Sequence, residues 1–426
     1  MSQSRDMETI RGILPWLMWG LGALFYCYGF FQRVAPGVMV AELMRDFGVG
    51  ATITGIMSSL YFYAYASLQI PIGLMLDRFG PRRMLAVSAF LAALGSLSFS
   101  MAESLTPAYL GRALIGIGTA VTWVGALKLA SMWFPPRRFA LLTGLTMAGG
   151  MAGAVGGQVP LGLSVAAFGW RGTMTGAAIL AGFLAVAFFL VVRDRVPGQP
   201  APAPPKEGDG AKLWSGVALA LKEPQTLLTG LFGCMLVAPL LTFAGLWGVP
   251  FMMARYGLSR PDAAFAISII LVGWGTGSPF FGWLSDHIHR RRAPMLFAAS
   301  ISLAITLLWL YVPGLPLWLI YILFLVMGLL GGGMVMTFAA AREHNPIWAA
   351  GASLGIVNMM VMGNGAIFQS LTGWLLDLGW DGTLVDGARV YSLDTWLTAL
   401  LVMPFCQIVS LTAAFFVRET YCTPQK

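Results

Sequence analysis

Gly73-Leu-Met-Leu-Asp77-Arg78-Phe-Gly80-Pro-Arg82-Arg83 and Gly282-Trp-Leu-Ser-Asp286-His-Ile-His-Arg290-Arg291-Arg292 are two copies of one short pattern. Each follows a long apolar run and leads into another. A repeat this far apart says that the chain is two related halves, each built around a basic hairpin on the same side of a membrane.

Composition points the same way. Of 426 residues, 58% are hydrophobic and 10% charged, where a soluble protein carries about 25% charge. Apolar runs near 20 residues recur, each long enough to cross a hydrocarbon core of about 30 Å. They fall at 14–38, 52–76, 84–101, 108–133, 139–164, 172–192, 225–252, 262–285, 294–312, 316–341, 351–376 and 395–417. Met1 to Arg11 is polar and the first run is long, so it reads as a retained span with no cleavable signal peptide. Between the sixth and seventh runs, Pro197-Gly-Gln-Pro-Ala-Pro-Ala-Pro-Pro205 is a stiff extended linker. After it, Lys212 to Leu221 can form a short helix on the membrane surface. The expected fold is all-α and integral to the membrane, with twelve transmembrane helices in two pseudo-symmetric six-helix bundles. The expected division is 1–193 for the N-terminal bundle, 194–223 for a cytoplasmic Pro-rich linker and 224–426 for the C-terminal bundle.

The net charge of +8 raises the question of nucleic acid. With the N-terminus inside, 18 Lys and Arg fall on the inner side, 5 on the outer side and 3 within spans, whereas Asp and Glu divide 10 to 8. A bias confined to basic residues is the positive-inside rule. It accounts for the charge without nucleic acid and places both termini and the linker in the cytoplasm. Cys27, Cys234, Cys406 and Cys422 show no paired spacing and read as free thiols, with no metal site and no cofactor implied.

Twelve spans, a central linker and paired Gly-x-x-x-Asp-(Arg)-x-Gly-x-Arg-Arg loops resemble the major facilitator superfamily. The first loop matches that pattern closely; the second carries His287 where the first has Arg78. Arg112-Ala-Leu-Ile-Gly116-Ile-Gly118 resembles the superfamily's Arg-x-x-x-Gly-x-Gly element. Tyr26-Cys-Tyr28-Gly-Phe-Phe-Gln32-Arg33, Leu246-Trp-Gly-Val-Pro250 and Ile367-Phe-Gln369 look like the organophosphate and organic-anion permease branch. That resemblance implies that Arg33 holds an anion. The branch's second anion-binding arginine, in span 7, has no counterpart, which favours a carboxylate over a phosphate. The Gly-rich run of span 5, from Gly149 to Pro160, lacks the Gly-Pro pair of antiporters.

No Asp or Glu lies in the middle of any expected span, and the three intramembrane charges, Arg33, Arg112 and Lys128, are all positive. A cavity with fixed positive charge and no counter-ion prefers an anionic or zwitterionic ligand. Guanidinium grips a carboxylate with two hydrogen bonds and keeps its proton. Tyr26 lies two turns from Arg33 on the same helix face. Snorkelling to the headgroups is the competing role for Arg33 and the favoured one for Lys128, which lies near the cytoplasmic edge. Ser58, Tyr61, Tyr65 and Gln69 share one face of span 2 and should look into protein or water. Trp123, Gln158, Trp247, Asn358 and Asn364 are further cavity candidates, each with helix packing as its alternative. Gating or coupling falls to Asp77, Arg78, Arg82, Arg83, Arg112 and Asp286: the two aspartates can pair with nearby arginines or a helix N-terminus and close the cytoplasmic side. Gly328 and Gly331 to Gly333 in span 10 allow close backbone approach.

The expected activity is secondary transport of a small carboxylate-bearing anion or zwitterion by alternating access, by a monomer in a bacterial inner membrane. No Gly-x-x-x-x-Gly-Lys-Ser/Thr stretch and no catalytic constellation is present, so neither ATP-driven transport nor an enzyme is expected. Multidrug or metabolite efflux and, further off, ligand sensing are the alternatives.

Overall fold

Helices dominate the computed structural model, which describes residues 12–194 and 209–423. Met1 to Arg11 and the linker Pro197–Pro205 lie outside the described residues. Eleven described stretches are long and apolar enough to cross a membrane. The second crossing, which is broken, lies outside that count and makes twelve. The second crossing is cut into Ala51–Ser67 and Ile72–Phe79. Pro71 has no N–H for the Ser67 carbonyl, so the helix loosens into a turn there. The chain still runs on in one direction, because Tyr61, Gln69 and Asp77 meet Thr119, Ala120 and Lys128 in the same order along span 4. Conversely, the helix Val159–Val191 holds the end of span 5, which begins at Pro136, and the whole of span 6. It reverses at Gly169, whose φ of 69° is open to glycine and strained for other residues.

Spans 1 to 6 pack on one another and spans 7 to 12 do likewise, and the halves meet most extensively where span 2 lies along span 11. Side chains such as Phe183, Leu190, Phe405 and Phe416 stand exposed on the outer faces. In water that surface would be an aggregation hazard; in lipid it is the solvated side. The two motif loops, the helix Asp209–Lys222 and the chain end at 418–423 share one end of the molecule, called here the basic face. Asp209–Lys222 packs Val217 and Ala220 on Ala352 and Ile356 of span 11. At the opposite face, the connection between spans 11 and 12 forms a small antiparallel hairpin, Leu384–Val385 with Ala388–Arg389.

The close approach expected in span 10 is present. A Cβ on Gly328 would stand 2.0 Å from the Ile270 carbonyl oxygen of span 8. Lipid offers no hydrophobic drive for helix association, so such contacts carry the packing. Gly328→Ala must push two backbones apart, at a cost of about 1–3 kcal/mol. A clearly lower melting temperature in detergent is the expected result; an unchanged one would show that the contact is slack.

Candidate functional site

Span 1 does not stop at Arg33. It tightens into the 3-10 turn Ala35–Val38, and Gly37 rests against Gly245 and Leu246 of span 7. Arg33 therefore lies inside protein, 3% exposed, and does not reach headgroups. Its guanidinium carbon is 4.2 Å from the centre of the Phe30 ring, 5.2 Å from Tyr65 and 5.9 Å from Tyr61. Aromatic faces attract a cation, and more so where water is excluded. No carboxylate pairs with Arg33 among the described residues, and its Nε has no hydrogen-bond partner.

Around it the expected residues assemble. The Tyr26 ring is 5.0 Å from Phe30 and 5.1 Å from Trp123, and its hydroxyl donates to the Met147 sulfur at 3.5 Å. Tyr61 and Tyr65 stack at 6.0 Å. One turn further toward the basic face, Asn358 Nδ2 donates to Gln69 Oε1 at 2.6 Å, tying span 11 to span 2. Ser58 on the same face of span 2 is buried, its hydroxyl unpartnered. Sequence reasoning missed Phe30, Met147 and Trp274. Trp274, in span 8, brings the second half to the site with its ring 6.5 Å from Phe30 and its buried indole N–H free of any partner. A buried tryptophan without a carbonyl in reach has no signature in sequence.

Gln158 and Trp247 sit elsewhere. Gln158 Nε2 donates to the Ala244 carbonyl at 3.1 Å, and Trp247 Nε1 to the Gln369 carbonyl at 3.0 Å. Gln369 in turn donates to the Leu241 carbonyl at 2.7 Å. These bonds serve the stretch Leu240–Trp247, where span 7 widens into a π-helix after Pro239 and leaves carbonyls without helical donors. Both side chains thus belong to the plug between the site and the opposite face. Asn364 donates to the Val361 carbonyl of its own helix.

Arg112 lies behind the site. Its Nη1 donates to the Gln32 carbonyl at 3.1 Å, and its guanidinium carbon is 5.3 Å from the Tyr61 ring, which also flanks Arg33. Gln32, Tyr28 and Ser96 form a buried hydrogen-bonded set with bonds of 2.7 to 3.1 Å. Arg112 Nε and Nη2 have no partner. This second cation is enclosed by spans 1 to 4.

The motif loops differ from expectation in their partners. Asp77 pairs with Lys128 at 2.8 Å, not with an arginine, and this brings Lys128 to the basic face. Arg82 donates from Nε to the Phe189 carbonyl at 2.7 Å, and its backbone N–H is capped by Asp194 at 2.8 Å. Arg78 and Arg83 are exposed and pair with no carboxylate among the described residues. Asp286 meets Arg291 at 2.7 Å, as expected, but Arg291 also binds Glu343 at 2.7 Å, a partner the sequence did not reveal. Glu419 caps the backbone of Arg291 and Arg292 at 2.7 and 3.0 Å. All these bonds stay within one half, so none closes the basic face in this conformation.

Closure lies at the opposite face. The Asp377 carboxylate of span 11 accepts from the backbone N–H of Ala51 at 3.0 Å and of Thr52 at 2.8 Å, at the start of span 2. Tyr391 donates to it at 2.7 Å and Arg389 at 3.2 Å. Helix starts leave N–H groups unpaired and favour negative charge. Gly50, the N-cap of span 2, has no side chain to supply either, so Asp377 caps the helix from the other half. Glu42 and Arg260 add an ion pair across the halves at 2.5 Å. Above the plug a vestibule of about 420 Å³ remains, lined by Trp247, Trp396, Tyr391, Arg45, Arg260 and Arg389 among others.

Comparison with known proteins agrees with this architecture. The profile of the Major Facilitator Superfamily matches residues 21–368, and the chain belongs to that superfamily. It is similar to the putative tartrate transporter of Agrobacterium vitis, 28% identical over 42% of this chain and 41% of that protein. The chain spans about two fifths of the length of the curated relatives it matches first. It is similar over more of its length, 90% of this chain and 89% of the other, to the membrane sensor protein UhpC of Escherichia coli (strain K12), at 27% identity. Among solved structures, a bacterial homologue of the human lysosomal transporter Spinster, inward-facing and unoccupied, matches with a TM-score of 0.74. That match covers 94% of this chain and 97% of the other at 15% identity, a likeness of fold.

Proposed function

We propose that this protein is a secondary transporter that moves a small carboxylate-bearing anion or zwitterion across a bacterial inner membrane by alternating access. One observation carries the reading: Arg33 is a buried cation with no counter-ion among the described residues, ringed by aromatic side chains where spans 1, 2 and 4 meet spans 8 and 11. An unpaired buried charge is costly, and a ligand carboxylate supplies the missing partner. The basic face is cytoplasmic by the Lys and Arg bias. The halves, 1–193 and 224–426, rock about the site while 194–223 links them. In the present conformation the opposite, outer face is latched by Asp377. No carboxylate partners Arg33 among the described residues, so we assign exchange or facilitated movement over a proton relay through the site.

Uptake of labelled organic anions into proteoliposomes tests this. Saturable, counterflow-competent uptake is the expected result, and its absence across carboxylates, phosphates and zwitterions would end the proposal. A sensing role is the second reading, favoured by the extent of the match to a membrane sensor protein. It is distinguished by tight binding without translocation in the same vesicles.

A further inference from the structure

Two unpartnered groups at the site can only donate; the third, the Ser58 hydroxyl, can accept as well. Arg33 Nε and Trp274 Nε1 are buried without hydrogen-bond partners. Tyr26 gives its hydroxyl to a thioether sulfur at 3.5 Å, a weak acceptor that a carboxylate oxygen readily displaces. Of the nearby amides, Gln69 is committed at both ends and Asn358 commits its Nδ2. Gln69 receives Asn358 at 2.6 Å and spends its own N–H groups on the Tyr65 and Ala120 carbonyls at 3.2 and 3.4 Å. The rest of the wall is ring and thioether: Tyr26, Phe30, Trp123 and Met147 from one half, Trp274 from the other.

Building on the transport reading above, we infer that the substrate is a monocarboxylate borne on a flat apolar body, such as an aromatic ring. Sugar acids and dicarboxylates fit the site poorly. The carboxylate bonds to Arg33 and the Tyr26 hydroxyl, and its body lies among Tyr26, Phe30 and Trp123 against Trp274. Hydroxyls of a sugar acid need both donors and acceptors once buried, and this wall is poor in acceptors. A second carboxylate meets no second cation, because Arg112 stands behind the Tyr61 ring. Trp274 is then the specificity residue of the C-terminal half, and binding draws span 8 onto span 1.

The test is calorimetric titration of the purified full chain with benzoate, a hexuronate and tartrate, in wild type, Arg33→Gln and Trp274→Phe. Benzoate is expected to bind at least about tenfold more tightly than the other two, each of which leaves polar groups unpaired. Arg33→Gln is expected to weaken benzoate by about 30-fold or more, as for a severed buried charge pair. Trp274→Phe, which keeps the ring and removes the N–H, is expected to cost about fivefold. Arg33-dependent binding led by the hexuronate or tartrate overturns this inference and leaves the organic-anion reading intact. Failure of all three anions to bind in an Arg33-dependent way overturns this inference, and the transport reading falls with it only if no carboxylate, phosphate or zwitterion is taken up. The wild-type ranking alone decides the inference if a variant does not fold.

Discussion

Arg33→Ala is expected to abolish substrate uptake while the protein stays folded and inserted. Cutting one partner from a buried, hydrogen-bonded charge pair costs about 2–5 kcal/mol, which is roughly 30-fold or more in affinity. The sign of the stability change is the more telling result. A structural arginine in an ion pair destabilises the empty protein when it is removed. Arg33 has no such pair. Its loss relieves an uncompensated buried charge and forfeits ring contacts worth about 0.5–2 kcal/mol. The melting temperature without ligand is therefore expected to hold or rise, and the shift on adding substrate to vanish. A variant that binds as tightly as wild type would remove the anion assignment. One that melts far lower and still binds would make Arg33 a packing residue.

Asp377→Asn is expected to release the opposite face. The carboxylate holds two backbone N–H groups of the other half, and hydrogen bonds to charged groups are worth about 1.5–3 kcal/mol each. Losing about 3 kcal/mol of differential contact shifts the closed-to-open ratio by roughly 100-fold. Ala388→Cys, placed in the buried rim of the vestibule, reports the change through its reaction with a membrane-impermeant maleimide. Its labelling rate is expected to rise by at least about tenfold, on the same free-energy scale. Gly50→Ala tests the latch from the other side. Its backbone is ordinary extended chain, but a Cβ there would stand 2.5 Å from the Asp377 carboxylate oxygen. It should accelerate labelling as well. If neither substitution does so, Asp377 is a surface hydrogen bond and closure rests on the span 7 plug.

The twelve crossings, the repeat and the cationic character of the interior were legible in the chain because they are properties of composition and period. Twenty apolar residues span a bilayer wherever they sit, and an arginine among them must find polar company or a cavity. That Arg33, Tyr26, Tyr61 and Tyr65 lie together was legible too, since helical spacing puts Tyr26 near Arg33 and Tyr61 near Tyr65.

Whether Arg33 snorkels or faces inward was a different question. It turned on the 3-10 turn after Val34 and on span 7 packing over it, contacts between residues some two hundred positions apart. The same holds for the acids. Asp77 was expected to pair with nearby arginines or a helix N-terminus and took Lys128 from span 4. Asp377 carried no motif, yet it bridges the halves. Sequence alone thus determined which segments enter the membrane and what charge they carry, through local hydrophobicity and periodicity. Only the tertiary structure decided which charges meet and which face is shut, because ion pairs and helix caps form between groups brought within about 3 Å by packing that no local pattern encodes.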